Sequence, residues 1–307
     1  MAWIPISGDF SMDNDDIVYK GGVTSFLGQE KVKQGILLFD NKISSGTIEM
    51  DIEFEDETID WCEEAEIIFD YINESNFKCV GITGNAYKYE AKCMVNNGWQ
   101  WMRTSGNIPR LPQKKLHIQI EIMGSFVRLL IDNVHVFEAN YFVPFRKTQI
   151  GIWSSSKKTI RFSNYKVNIQ LPEVFIISQF GGLYDELYNN VIKPLFIQHN
   201  MKPIRADEIS NSTFILEDII RSLQTASIII ADITPNNPNV FYELGFAHAI
   251  GKDVILLCEK EKRSSLPFDV SAYRTIFYEN TMLGKDKIEG ELNKYVKEIL
   301  KKQEGFL

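Results

Sequence analysis

A chain of 307 residues is longer than one hydrophobic core usually organises, so two domains are expected. Its 41 acidic against 33 basic residues give a net charge of -8, which excludes a general nucleic-acid binder because that function needs a basic footprint. No apolar run reaches the roughly 18 residues of a membrane-spanning helix, and the start MAWIPISGDFSMDNDD lacks the basic and then apolar segments of an export signal, so a cytoplasmic protein without a membrane partner is expected.

Residues 1–170 read as strands separated by Gly, Asn, Asp and Ser turns. Alternation is clear over residues 47–54, where Ile48, Met50, Ile52 and Phe54 face one way and Glu49, Asp51 and Glu53 the other. It recurs over 116–122 and 126–131, then an Asp132-Asn133 turn leads into 134–138, and 148–153 with 159–169 close the region. Without a long amphipathic helix, this pattern predicts an antiparallel β-sandwich. Trp61, Tyr87, Tyr89, Trp99 and Trp101 are read as core or interface residues in preference to a sugar-stacking platform. Cys62, Cys79, Cys93 and Cys258 lack CxxC spacing and the histidines are scattered, so no metal site is expected, and without a GxGxxG or Walker loop no resident cofactor is expected.

At Gln170-Leu171-Pro172 the pattern changes to strands alternating with helices, which divides the chain into domains 1–170 and 171–307. A linker this short implies domains that touch. In the second domain, strands are expected at 174–178, 201–205, 227–232, 253–258 and 275–278. Helices are expected at 183–199, at 212–225 with Ser212 as cap, at about 239–250, and at 285–302. Right-handed crossovers make this a flavodoxin-like, doubly wound parallel sheet in order 2-1-3-4-5. The switch point of that order brings the loop 178–182 and the end of the third strand to one crevice.

Residues 231–253, ADITPNNPNVFYELGFAHAIGKD, are the most informative stretch. A buried strand ends in Asp232, the prolines and asparagines of 233–238 stop it, and a helix follows whose early turns carry Glu243. Two carboxylates therefore stand at the carboxyl edge of the sheet, where ligands of open α/β folds bind. A glutamate near a helix start also stabilises the helix dipole without further purpose.

The Ala-Asp strand end, the Pro/Asn loop, Asn239-Val240-Phe241-Tyr242-Glu243-Leu244-Gly245 and Gly251-Lys252 resemble the TIR-like and nucleoside 2-deoxyribosyltransferase-like group of bacterial proteins. That resemblance implies that Glu243 acts at the anomeric carbon of a nucleoside or of the nicotinamide riboside in NAD, with Asp232 orienting substrate or poising the glutamate. Ser178, Gln179, Phe180, Gly181, Asn236, Asn239 and Tyr242 are the expected substrate-binding residues, with NAD as substrate and not as cofactor. NAD cleavage is placed first, because TIR-like domains are often joined to a second recognition module. The alternatives are a nucleoside deoxyribosyltransferase or hydrolase, and a non-catalytic nucleotide-binding signalling module. The segments 126–137 and 151–167 resemble concanavalin A-like jelly rolls, and Glu49-Met50-Asp51-Ile52-Glu53 resembles the Glu-x-Asp-x-Glu strand of jelly-roll β-glucanases, although a solvated strand face is the preferred reading. The two-domain layout is similar to bacterial anti-phage effectors, which implies that the sandwich senses a ligand or protein and promotes self-association that completes the second site.

Overall fold

A computed structural model of the chain describes residues 2–26, 29–209, 215–263, 265–273 and 275–303; Ser212, the expected helix cap, lies outside them. The chain divides into two compact units, one of Met1–Ile122, Phe126–Tyr141 and Arg146–Gln170, the other of Met123–Ser125, Phe142–Phe145 and Leu171–Leu307.

The first unit is a jelly-roll-like antiparallel β-sandwich of two seven-stranded sheets. One sheet runs Val134–Asn140, Phe126–Ile131, Lys115–Met123, Gly46–Phe54, Ile160–Ile169, Asp16–Tyr19, Phe10–Asp13. Five of its strands are among those legible in the sequence, while Phe10–Asp13 and Asp16–Tyr19 are not: Ile48, Met50, Ile52 and Phe54 are all buried, and Asp132 and Asn133 both take positive φ, as a tight hairpin turn requires. The other sheet runs Trp3–Ser7, Gln34–Ile43, Thr148–Ser155, Glu64–Asn73, Asn76–Thr83, Tyr89–Val95, Gly98–Ser105. Most of it escapes a period-two reading because its central strands are covered on both faces: Ala65–Asp70 and Cys79–Thr83 are buried without interruption.

The second unit is a parallel sheet of β1 (Glu173–Ile177), β2 (Lys202–Arg205), β3 (Ile228–Asp232), β4 (Val254–Glu259) and β5 (Thr275–Tyr278), in the expected order β2-β1-β3-β4-β5. Helices α1 (Gly182–Leu187), α2 (Lys193–Gln198) and α5 (Met282–Gln303) serve one face of the sheet, where Ile176, Ile230 and Leu257 meet Tyr188, Phe196 and Leu292. Helices α3 (Ile215–Thr225) and α4 (Pro238–Ala249) serve the other, where Phe175, Ile229 and Leu256 meet Leu223, Val240 and Leu244. The single helix expected over 183–199 is interrupted by a π turn, Tyr188–Ile192. Pro194 supplies the reason, since it has no amide hydrogen to return to the preceding turn and its ring crowds the carbonyl there.

Candidate functional site at the carboxyl edge

β1 and β3 pair in parallel with Ile177 opposite Ala231, so Ser178 and Asp232 leave the sheet side by side at its switch point. Asp232 is not a free substrate contact, and here the expectation is corrected. Its side chain is 2% exposed, Oδ1 accepts from the Thr234 amide at 2.9 Å and hydroxyl at 2.6 Å, and Oδ2 accepts from the Tyr278 hydroxyl at 2.7 Å. The Thr234 hydroxyl oxygen accepts in turn from the Glu259 amide at 2.8 Å. Burial raises the Asp232 carboxyl above its ordinary range, against the pull of the Thr234 and Tyr278 hydrogen bonds. Asp232 therefore ties the end of β3 to β4 and β5, and positions the loop from which α4 starts.

Glu243 has the opposite character. Asn237 caps α4 by accepting from the Asn239 amide at 3.0 Å and Pro238 follows it, which places Glu243 in the second turn, beyond the strongest reach of the helix dipole. Its side chain is half-buried, and among the described residues it makes no hydrogen bond and no ion pair. Burial alone pushes its carboxyl up from 4.5 to about 7. A carboxyl kept off water with no partner is unfavourable for folding and is the form a reacting group takes.

The remaining expected contacts lie on loops at the same edge. The Ser178 hydroxyl is buried without a hydrogen-bond partner, and Gln179 is half-buried. Gly181 and Gly182 hold φ of 94° and 53°, conformations costly for other residues, and open space stands where a side chain would project. The Gly181 amide donates to Asp185. Asn236, Asn239 and Tyr242 are exposed. Phe180 is half exposed, and the Arg205 guanidinium lies 5.2 Å from its ring centroid and 4.5 Å from that of Tyr188. Arg205, the buried last residue of β2, is held by Asp185 at 2.8 Å and Asp207 at 2.6 Å. It was missed from sequence; the only signal is an arginine ending a strand just before Asp207, and the ring it braces lies on another loop.

A second constellation, also missed, occupies the sheet of the sandwich that did not alternate. The Lys92 ammonium lies among three carboxylates, 2.9 Å from Glu64, 3.3 Å from Glu66 and 2.6 Å from Glu90, and 4.2 Å from the Trp99 ring centroid. Burial and the neighbouring acids hold Glu66 well above its usual range, whereas those same acids raise Lys92 despite its burial. The carboxylates lie within 4.8 Å of one another, a spacing that suits a cation, and the lysine takes that central place. Two indoles hang on the same acids: Trp153 Nε1 donates to Glu64 at 2.9 Å and Trp101 Nε1 to Glu90 at 3.1 Å. Beside the cluster opens a cleft of about 530 Å³, lined by Trp61, Trp101, Glu64, Asn85 and Ser155 among others. Trp61 and Trp101 are 72% and 56% exposed there, and Tyr87 is exposed too, which corrects the core reading for these three; Tyr89 is buried, and Trp99 packs at 5.5 Å on Trp153. The signal available in sequence is the placing of Glu64, Glu66, Glu90 and Lys92 at alternate positions of otherwise apolar segments.

The third acidic feature, on Gly46–Phe54, is a polar strand face. Asp51 is the centre, bonded to His117 at 2.8 Å, Asn164 at 2.7 Å and Lys115 at 3.0 Å, and these bonds outweigh partial burial to hold its carboxyl below the ordinary range. Glu53 is exposed and Glu49 lies 3.9 Å from His117.

No protein-family model matches the chain, and no curated protein matches it. Among solved structures, a carbohydrate-binding module of Bacillus subtilis aligns over 54% of this chain and 94% of its own with 14% identity and a TM-score of 0.43. A β-glucanase of Bacillus licheniformis aligns over 55% and 92% with 9% identity and a TM-score of 0.38. Likeness this distant assigns no ligand and no activity; the sandwich stands on its own strand order.

Proposed function

We propose that the second unit cleaves the N-glycosidic bond of NAD, with Glu243 as the carboxylate beneath the anomeric carbon. The observation that carries this reading is the state of Glu243: desolvated, raised to about 7, and unpartnered at the carboxyl edge of a doubly wound sheet. The leaving of nicotinamide develops positive charge on the ribose, which an ionised Glu243 stabilises through space or captures as a covalent ribosyl ester. Phe180, braced by Arg205, offers a ring face to the base, and Ser178 and Gln179 offer hydrogen bonds beside it. Asp232 acts one step back, by holding the loop before α4. Water as acceptor yields hydrolysis, another base yields exchange, and an internal nucleophile yields a cyclic product. The sequence resemblance to TIR-like proteins agrees with this reading, and gating by the sandwich through self-association, as in a defence effector, is part of it.

The test is incubation of the full chain and Glu243→Gln with NAD and, separately, with deoxynucleosides plus free adenine, read by chromatography. Nicotinamide release by the unsubstituted protein alone supports NAD cleavage. Base exchange replaces it with the transferase reading. Nucleotide binding that survives Glu243→Gln, with no turnover of either substrate by either protein at any concentration, leaves a signalling module.

For the sandwich, a saccharide is the ligand we favour. The Trp101 indole, held by the buried Glu90 and exposed in the cleft beside Trp61, Asn85, Ser155 and Glu64, matches the alternation of apolar faces and hydroxyls on a sugar ring.

A further inference from the structure

Near the same carboxyl edge, beyond the ends of β4 and β5, a pocket of about 610 Å³ is lined by Lys260, Arg263, Phe277, Glu279 and Lys287, and by Leu283 and Gly284 of the first turn of α5. Its charge runs against that of the chain, which carries an excess of acids. Several other cations of this unit are neutralised locally: Lys193 by Glu208, Arg205 by Asp185 and Asp207, Lys262 by Glu259, Lys285 by Glu186. Among the described residues, Lys260, Arg263 and Lys287 make no ion pair, and the single carboxylate of the pocket, Glu279, bonds to none of them. Three cations left facing one cavity repel each other, an arrangement that a bound anion relieves.

Arg263 connects this pocket to α4 and the loop before it. Its guanidinium lies 5.5 Å from the ring centroid of Phe241 on α4, and its Nε donates to the Thr234 carbonyl at 3.4 Å. Through Arg263 the pocket lining is tied to the loop that Asp232 holds. At the start of α5 the Gly284 amide is already taken by the Thr281 hydroxyl at 3.0 Å, so the cations carry the pocket's charge, and Phe277, 44% exposed, supplies an apolar wall.

We infer that this pocket seats the phosphates of the substrate, so that the crevice takes a nucleotide or dinucleotide in preference to a free nucleoside. The inference rests on the reading of Glu243 as the group at the anomeric carbon, because it places the phosphates at the other end of the same ligand. It selects NAD over deoxynucleosides by chemistry: two adjoining phosphates match paired lysines and one arginine, whereas an uncharged nucleoside leaves all three cations unanswered.

The experiment uses the full chain carrying Glu243→Gln, with and without Lys260→Gln and Lys287→Gln together, and calorimetric titration with ADP, inorganic pyrophosphate and adenosine. The expected result is ADP binding at least about tenfold tighter than adenosine, a margin that shrinks in added salt and disappears in the lysine variant while adenosine affinity is kept. Equal affinities for ADP and adenosine, ADP affinity unmoved by the lysine substitutions, or no binding of ADP and pyrophosphate up to millimolar concentration each overturn it. Turnover separates this inference from the function it rests on. With Glu243 intact, the lysine variant is expected to raise KM for NAD and leave kcat/KM for nicotinamide riboside unchanged. Cleavage of NAD with an unmoved KM discards the pocket and keeps Glu243; ADP held through the lysines without cleavage of any nucleotide discards Glu243 and keeps the pocket.

Discussion

Replacing Glu243 by Gln is expected to stabilise the second unit, and to do so only as the pH rises. A carboxyl whose folded value lies near 7 and whose ordinary value is 4.5 binds more protons folded than unfolded between those limits. Stability is therefore greatest below about 4.5 and falls as pH climbs through 7, the reverse of a salt-bridged acid. At about 1.4 kcal/mol per pH unit the full penalty is roughly 3 kcal/mol, and most of it, about 2.5 kcal/mol, develops between pH 5 and pH 8. Gln has nearly the same shape and does not titrate; whatever fixed cost its amide adds is the same at every pH. The assay is calorimetric melting of the full chain and of Glu243→Gln at half-unit steps from pH 5 to 8. The transition that responds to the substitution belongs to the second unit, and at about 3 °C per kcal/mol the two melting temperatures should diverge by roughly 8 °C over that range. Curves that stay parallel would refute the claim that Glu243 is desolvated and unpartnered, and with it the main support for its chemical role.

The same titration governs the rate: if Glu243 works ionised, kcat/KM for NAD rises with pH through about 7, and a rate that falls there makes it a proton donor instead. Asp232→Ala strips Tyr278 and Thr234 of their acceptor, and a loss of about 2–4 kcal/mol by denaturant titration is expected, with Asp232→Asn recovering part of it; an unchanged midpoint would contradict the brace. Lys92→Met leaves three carboxylates facing each other, so the sandwich should lose about 3–5 kcal/mol near neutral pH and regain some as the acids protonate, a recovery that melting at pH 5 and pH 8 detects. Trp101→Ala removes an exposed plane without emptying the core, so oligosaccharide retention on a glycan array should vanish while the melting temperature holds; retention that survives the substitution puts the ligand elsewhere.

What the sequence determined by itself is what short-range periodicity encodes. The strand of Gly46–Phe54 alternates because one face meets the core and the other meets water, and that two-residue period is visible within its nine residues. The order of β1 to β5 follows from chain connectivity and the handedness of crossovers, so Ser178, Asp232 and Glu243 could be assigned to one edge before any coordinates. Tertiary structure decided which of those carboxylates is free. Asp232 and Glu243 look alike as letters; the first meets Tyr278, 46 residues onward, and is consumed internally, while nothing among the described residues reaches the second. It likewise decided the fate of Glu64, Glu66, Glu90 and Lys92, charges on two strands that flank Asn76–Thr83 and whose mutual neutralisation exists only when both pair with it. Polar groups acquire their state from partners distant in the chain, whereas apolar residues need only a side to face, and that difference separates what could be read from what had to be folded.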